Sequence, residues 1–393
     1  MPVPILFVHY GDEWIRGSER VLLDLLANLE RRQFSAVVWC NGREMSEAVR
    51  KLGFPVYRSR FDVLLTSIKP NYRVERWGRQ IWQGIKVISE NRVRLVHSNG
   101  GGPMQWMLPA ARFCRVPILA HLHAPYLKRD RYAFGLRYAN RLVGVSRHVL
   151  GGLEQDGVSK EKMMVIYNGI DTQGVDRLNN DPDLISLADS GKIILTFAGS
   201  LIYRKGVDLL LRSVQALSRD LPVYLIVAGE GPERPALERL ASDLGITAHV
   251  RFLGFRPELG PIYRQTDIAV HPARSEAFGL VLAEAAAYGV PVVASRVGGI
   301  PEVVVEGETG LLCEPESVDS LTRMLLRLIK QPELRNSMRI RSREWALNNF
   351  TVDKMAARFH SLYEEMTRLR PPAQAGCMAA QQRSSACDTT RLL

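Results

Sequence analysis

The chain has 393 residues, 46% of them hydrophobic, and a formal net charge of +11. That length supports two domains of ordinary size, each with its own core, and no stretch approaches the 18 uncharged apolar residues expected of a membrane-crossing helix. The five cysteines (Cys40, Cys114, Cys313, Cys377 and Cys387) are odd in number and scattered. This argues against a disulfide framework or a zinc site and for reduced thiols in the cytoplasm.

Pro4 to His9 predicts a first strand rather than a signal peptide, since no basic lead and no small-residue cleavage site accompany it. Gly17-Ser18-Glu19-Arg20 opens a helix that is apolar at Val21, Leu22, Leu25, Leu26 and Leu29. Ala36 to Cys40 predicts a strand and Glu44 to Leu52 a helix. Further strands are predicted at Arg94 to Ser98, Pro117 to His121 and Arg141 to Ser146. Residues 172–191 are polar and read as a linker. A second set of strands follows at Ile193 to Ala198, Val223 to Ala228, Val250 to Leu253, Ile268 to His271 and Val292 to Ser295. Helices are predicted at Val207 to Leu217, Arg234 to Leu244, Asp319 to Ile329, Arg335 to Asn348 and Lys354 to Leu369. Strands alternating with helices indicate two parallel sheets, each covered on both faces. Pro371 to Leu393 is small, polar and Pro-led, and disorder is expected there.

The charge is divided unevenly. Residues 1–170 hold 26 Lys and Arg against 14 Asp and Glu, whereas the remainder holds 26 against 27. Phe54 to Arg94 interleaves Arg58, Arg60, Lys69, Arg73, Arg76, Arg79, Lys86, Arg92 and Arg94 with Tyr57, Phe61, Tyr72, Trp77 and Trp82. A face of this kind attracts anionic lipid. A solvated surface without a partner is the competing reading. No nucleic-acid-binding motif is present, so nucleic acid is not expected.

Glu276 and Glu284 stand eight residues apart in SEAFGLVLAE. The predicted strand before them and the Ala- and Leu-rich helix after Gly279 place the first carboxylate in a loop and the second in a helix. Were the whole stretch helical, the two would lie roughly 12 Å apart, a poor fit to a glycosidase pair at about 5 to 9.5 Å. The spacing suits one ligand with hydroxyls at both ends and a phosphate over the helix N-terminus. Two solvated glutamates flanking a core helix are the alternative. Pro291 to Glu302 then runs from an apolar strand through the pair Gly298-Gly299 into Pro301-Glu302, a backbone that lets a phosphate approach main-chain N–H groups.

The string HPARSEAFGLVLAEAAAYGVPVVASRVGGIPEVV resembles the retaining glycosyltransferases of family 4, with their Glu-x7-Glu motif. The resemblance spans residues 3 to 365 and is strongest after residue 160. It implies an α/β GT-B fold, two Rossmann-like domains facing a central cleft. The expected division is an acceptor-binding domain at 1–171, the linker, a nucleotide-sugar-binding domain at 192–350, a helix at 351–370 returning to the first domain, and the tail at 371–393.

Ala198 to Gly206 joins a strand to a helix, and Arg204 and Lys205 at that helix start can neutralise a diphosphate. The remaining roles are implied by the resemblance. Gly229 and Gly231 lie under the nucleotide, and the backbone around Phe255 meets the base. Glu276 and the segment Ala277, Phe278, Gly279 and Leu280 meet the sugar, and Glu284 accepts from ribose hydroxyls. Gly17 lies next to the leaving phosphate. His123 contacts the donor sugar, although strand periodicity by itself does not separate it from His121. Ser200 occupies a position where the family often has Arg, which puts a two-cation clamp in doubt. The catalytic assignment is His123, Glu276 and Lys205, with no metal and no cofactor beyond the donor substrate. Asp181-Pro182-Asp183, away from any strand end, is a poor metal site.

The implied activity moves a hexosyl unit from a nucleotide diphosphate sugar to a hydroxyl, with a lipid-linked saccharide in polysaccharide or glycolipid synthesis as the expected acceptor. A soluble acceptor, a non-hydrolysing nucleotide-sugar epimerase and a catalytically silent GT-B module are the alternatives. The expected location is cytoplasmic, with peripheral contact at the inner membrane face through the basic first domain.

Overall fold

The computed structural model describes residues 1–64, 73–175, 181, 184 and 191–368. Lys69, Tyr72, Pro182, Asp183, Cys377, Cys387 and the tail at 371–393 lie outside the described residues. The chain forms two compact units. The first comprises Met1–Ile166 and the segment from Met355 onward, and the second comprises Tyr167–Lys354.

The first unit holds a parallel sheet of β1 (Val3–His9), β2 (Phe34–Cys40), β3 (Val56–Arg58), β4 (Leu95–Asn99), β5 (Ile118–Leu122), β6 (Arg141–Gly144) and β7 (Met163–Val165). The strand order is β3-β2-β1-β4-β5-β6-β7. From Ile5 to His9, β1 is buried throughout, as are β4 and β5. Such continuous burial is typical of parallel strands with both faces covered. The sequence reading did not identify β3, or the helices Val74–Glu90, Met104–Phe113, Lys128–Ala133 and Arg147–Gln155.

The helix Val352–Arg368, predicted over Lys354 to Leu369, turns Met355, Phe359, Leu362, Tyr363 and Met366 inward, all of them buried. Within the first unit, Tyr363 packs edge-on to Phe7 and Phe34, and its hydroxyl lies 2.7 Å from His97 Nδ1. Arg141 and Glu365 form an ion pair.

The second unit holds β8 (Ile193–Ala198), β9 (Val223–Ala228), β10 (Val250–Gly254), β11 (Ile268–His271), β12 (Val292–Ser295) and β13 (Gly310–Cys313), in the order β10-β9-β8-β11-β12-β13 and all parallel. The helices Val207–Leu217, Arg234–Asp243, Val318–Lys330 and Pro332–Asn349 match the predicted ones within three residues. Part of the stretch read as a linker belongs to this unit. Val175, Asp181 and Leu184 are buried, and Arg264 donates to the carbonyls of Gly174 and Val175.

In each sheet the strand order reverses direction once, between β1 and β4 in the first and between β8 and β11 in the second. Open parallel sheets bind ligands outside the carboxyl ends of the strands at such a reversal.

Candidate active site

In the second unit the residues at that position are Ala198 to Lys205 after β8, and His271 to Gly279 after β11. Glu276 lies in the loop before the helix Leu280–Ala287, and Glu284 lies within that helix, as the spacing predicted. Glu276 is buried, and its Oε2 accepts from Lys205 Nζ at 2.5 Å and from His271 Nε2 at 3.0 Å. Its Oε1 accepts from the Ala277 N–H at 3.1 Å. Burial raises the carboxyl pKa, but the hydrogen bond from His271 and the Lys205 charge outweigh it and hold Glu276 far below the usual carboxylate range. Burial, together with the Lys205 charge, keeps His271 below the ordinary histidine range. Glu276 is therefore an ionised acceptor and His271 a neutral donor.

Lys205 does not stand at a helix start as an unsatisfied cation. It lies on the short turn Tyr203–Lys205, ahead of Gly206 and the helix Val207–Leu217, and Glu276 is its partner. Its charge is therefore balanced within the unit. Arg204 is exposed and donates to the Ser275 carbonyl at 3.1 Å. Arg274 fixes the same turn, pairing through two nitrogens with Asp208 at 2.9 and 2.8 Å and covering the Tyr203 ring at 3.9 Å. Ser200 is exposed beside this loop.

The three predicted loops are laced together by backbone. Gly199 N–H donates to Ala228 O at 3.0 Å, Gly229 N–H to Gly254 O at 2.8 Å, and Leu201 N–H to Glu230 O at 2.9 Å. A Cβ on Gly229 would lie 1.8 Å from the Gly199 oxygen, so only glycine fits there. Gly231 backs onto Leu201, and Phe255, just after β10, is 70% exposed. Phe278 is a core residue stacked on Tyr167, so only its backbone can face a ligand. Gly279, at φ +100°, starts the helix that Leu280 continues.

The pair Gly298-Gly299 has a different role from the predicted one. Gly299 N–H donates to the Glu276 carbonyl at 3.0 Å, and a Cβ on Gly298 would lie 1.8 Å from that oxygen. The turn braces the Glu276 backbone rather than offering this N–H to a phosphate.

In the first unit, Gly17 is the first residue of the helix Gly17–Ala27, and Glu19 on its first turn is buried. His9 ends β1 and Asn99 ends β4, directly paired across the reversal point. Their side chains join Glu19 and His123 in one hydrogen-bonded line. His123 is partly exposed, and burial with the neighbouring His9 holds its pKa down. His121, which periodicity had not separated from His123, is buried, with neither ring nitrogen partnered among the described residues. Its ring packs 4.1 Å from that of His123.

The sequence reading missed His9, Glu19, Asn99, His271 and Arg274 as site residues. For His9, Asn99 and His271 a signal existed, namely a polar residue ending an apolar parallel strand. Among the described residues, no group of three His, Cys, Asp or Glu could hold a metal ion.

The family model "Glycosyltransferase Family 4" matches residues 15–173, and "Glycosyl transferases group 1" matches residues 184–345. Over 350 residues the chain is 29% identical to a GDP-mannose-dependent alpha-(1-6)-phosphatidylinositol monomannoside mannosyltransferase of Mycolicibacterium smegmatis, covering 82% of this chain and 87% of that one. It is 37% identical over 194 residues to a D-inositol 3-phosphate glycosyltransferase of Corynebacterium urealyticum, 46% of each chain. A glycosyltransferase structure from Rickettsia africae superposes with a TM-score of 0.82 at 17% identity, covering 93% of this chain and 98% of that one. The Anabaena protein HepE in complex with UDP gives 0.80 at 21%, covering 92% and 100%. Two Rossmann-like sheets with these matches on both halves show that the chain belongs to glycosyltransferase family 4 and has the GT-B fold.

Proposed function

We propose that this glycosyltransferase moves a hexosyl unit from a nucleotide diphosphate sugar to a hydroxyl acceptor, with retention of configuration and without a divalent ion. The observation that carries the reading is the Lys205–Glu276–His271 cluster at the reversal point of the second sheet. It holds a cation and an ionised acceptor side by side, as a donor with a diphosphate and sugar hydroxyls requires. When a diphosphate arrives, Lys205 turns to it, and Glu276 is released to accept from sugar hydroxyls.

The bond from the sugar anomeric carbon to the diphosphate oxygen breaks as the acceptor oxygen attacks the same face, and the acceptor proton passes to the departing diphosphate. The protein contributes positioning and charge stabilisation. Arg204, Gly229, Gly231 and Phe255 serve the nucleotide and Glu284 the ribose. Gly17 and His123 serve the leaving phosphate and the donor sugar.

The relative named for a phosphatidylinositol monomannoside supports a lipid-linked saccharide as acceptor, in glycolipid or polysaccharide synthesis. The relative named for D-inositol 3-phosphate favours the second reading, a soluble acceptor. Among the described residues no helix is long and apolar enough to cross a membrane. The exposed Arg79, Trp82 and Lys86 on the helix Val74–Glu90 support peripheral contact with anionic lipid.

Calorimetry with a panel of UDP-, GDP- and ADP-sugars tests the donor site. One donor class binds, and Lys205→Ala weakens it by about 1.5 to 3 kcal/mol, the range for a charge-assisted hydrogen bond. Unchanged binding in both Lys205→Ala and Glu284→Ala refutes the assignment.

A further inference from the structure

The line of side chains in the first unit has donor and acceptor roles that chemistry fixes one after another. Glu19, held at a pKa of about 2, carries no hydrogen at neutral pH; burial opposes this, and the hydrogen bonds from His9, its own backbone and Ser18 outweigh it. Its Oε2 accepts from the Arg16 backbone N–H at 3.1 Å and the Ser18 hydroxyl at 3.0 Å. Its Oε1 lies 3.0 Å from His9 Nε2, so that nitrogen carries a hydrogen.

Asn99 Nδ2 points both at His9 Nδ1, at 2.9 Å, and at the Ser18 carbonyl, at 3.3 Å. A carbonyl only accepts, so the amide NH2 faces this way and His9 Nδ1 is bare. Asn99 Oδ1 then faces His123 Nε2 at 2.8 Å, and this contact is a hydrogen bond only if Nε2 holds the proton. The remaining ring nitrogen of neutral His123, Nδ1, is a lone-pair acceptor.

We propose that Glu19, His9 and Asn99 are positioning residues that fix the His123 tautomer, so that Nδ1 accepts a hydrogen bond from a substrate hydroxyl. This rests on the reading of His123 as a donor-sugar contact. A network that merely braced the strand ends would have no need of one tautomer at its far end.

Glu19→Gln separates the two roles. The Arg16 N–H cannot be reversed, so the Gln carbonyl takes the Oε2 position and its NH2 faces His9. His9 then accepts at Nε2 and carries its hydrogen on Nδ1. Asn99 turns its Oδ1 to His9, giving up the Ser18 carbonyl. His123 now meets an NH2 at Nε2 and is protonated on Nδ1. One charge is lost, almost no volume changes, and the His123 tautomer inverts three side chains away.

The experiment is a long-range proton–nitrogen correlation spectrum of the full chain labelled with 15N-histidine, with His123 assigned by its loss in His123→Gln. The wild type shows His123 protonated on Nε2, and Glu19→Gln shows the exchanged pattern. His123 protonated on Nδ1 in the wild type overturns the proposal, as does a folded Glu19→Gln protein that keeps the wild-type pattern. Should Glu19→Gln not fold, Asn99→Ala cuts the line beside His123; mixed tautomers support the proposal and a single Nε2–H form overturns it. Glu19→Gln also lowers kcat by about 10-fold, the rate equivalent of one lost hydrogen bond to the substrate. Unchanged kcat with an exchanged tautomer overturns the catalytic part. The spectra need no substrate, so failure of the transferase reading, with no nucleotide sugar turned over by the wild type, is seen separately.

Discussion

Replacing Lys205 with Ala removes the only Lys or Arg in hydrogen-bond contact with the Glu276 carboxylate among the described residues. The two side chains are 13% and 11% exposed, so Glu276 is left largely desolvated with only His271 and a backbone N–H. Removing one partner of a buried pair costs about 3 to 5 kcal/mol, and the remaining His271 hydrogen bond and slight exposure reduce this to about 2 to 3 kcal/mol. For a unit of this size each kcal/mol lowers Tm by about 2 to 4 °C, so its transition falls by about 4 to 12 °C.

The loss depends on pH. In the wild type, burial and the Lys205 charge both depress the His271 pKa, and the variant removes the second. The His271 and Glu276 pKa values therefore both rise. Below the raised values the folded variant binds more protons than it would with Lys205 present, and a charged His271 replaces the missing cation. The deficit is thus largest above the folded variant's His271 value, where His271 is neutral in both proteins, and shrinks as pH falls through it. Thermal unfolding of both proteins from pH 5.5 to 8.5 measures this. A deficit that is flat, or larger at acid pH, refutes the reasoning.

Gly298→Ala places a methyl group 1.8 Å from the Glu276 carbonyl at φ +57°; it should lower stability by at least about 1 to 3 kcal/mol and abolish donor binding, measured by unfolding and calorimetry. Tyr363→Phe removes the hydroxyl 2.7 Å from the buried His97 Nδ1 and should cost about 1 to 3 kcal/mol in urea unfolding. Transfer activity should survive EDTA; loss on chelation with recovery on adding manganese contradicts the metal-free proposal. The protein should float with anionic vesicles at low salt, less at about 0.5 M, and poorly after Arg73, Arg79 and Lys86 are changed to Glu. Arg76 is left in place because it pairs with the largely buried Asp62, whereas the pair of Lys86 with Glu90 is exposed on both sides. Equal flotation with neutral vesicles contradicts an electrostatic membrane contact.

The alternation of apolar runs with amphipathic segments was enough to read two parallel sheets, because a strand buried on both faces must be apolar along its whole length. The strands Ile193–Ala198, Val223–Ala228, Ile268–His271 and Val292–Ser295 were legible to the residue for that reason. β3, of three residues, was too short to carry a pattern, whereas β13 was not identified although it is as long as β11 and β12. The helix Val74–Glu90 alternates charge and aromatics, and it was read as a surface patch rather than a helix.

The loops bearing Lys205, Gly229 and Glu276 were found from motif residues that lie close together in the chain. What sequence did not contain was which strands are neighbours. Periodicity says which face a residue occupies, not what stands beside it. Strand order alone brings His9 next to Asn99 across 90 residues, and Lys205 to Glu276 across 71. The hydrogen-bonded line to His123, the partner of Lys205 and the brace of Gly298 under Glu276 are contacts between distant segments. Only the folded sheet, with its single reversal of strand order, decided them.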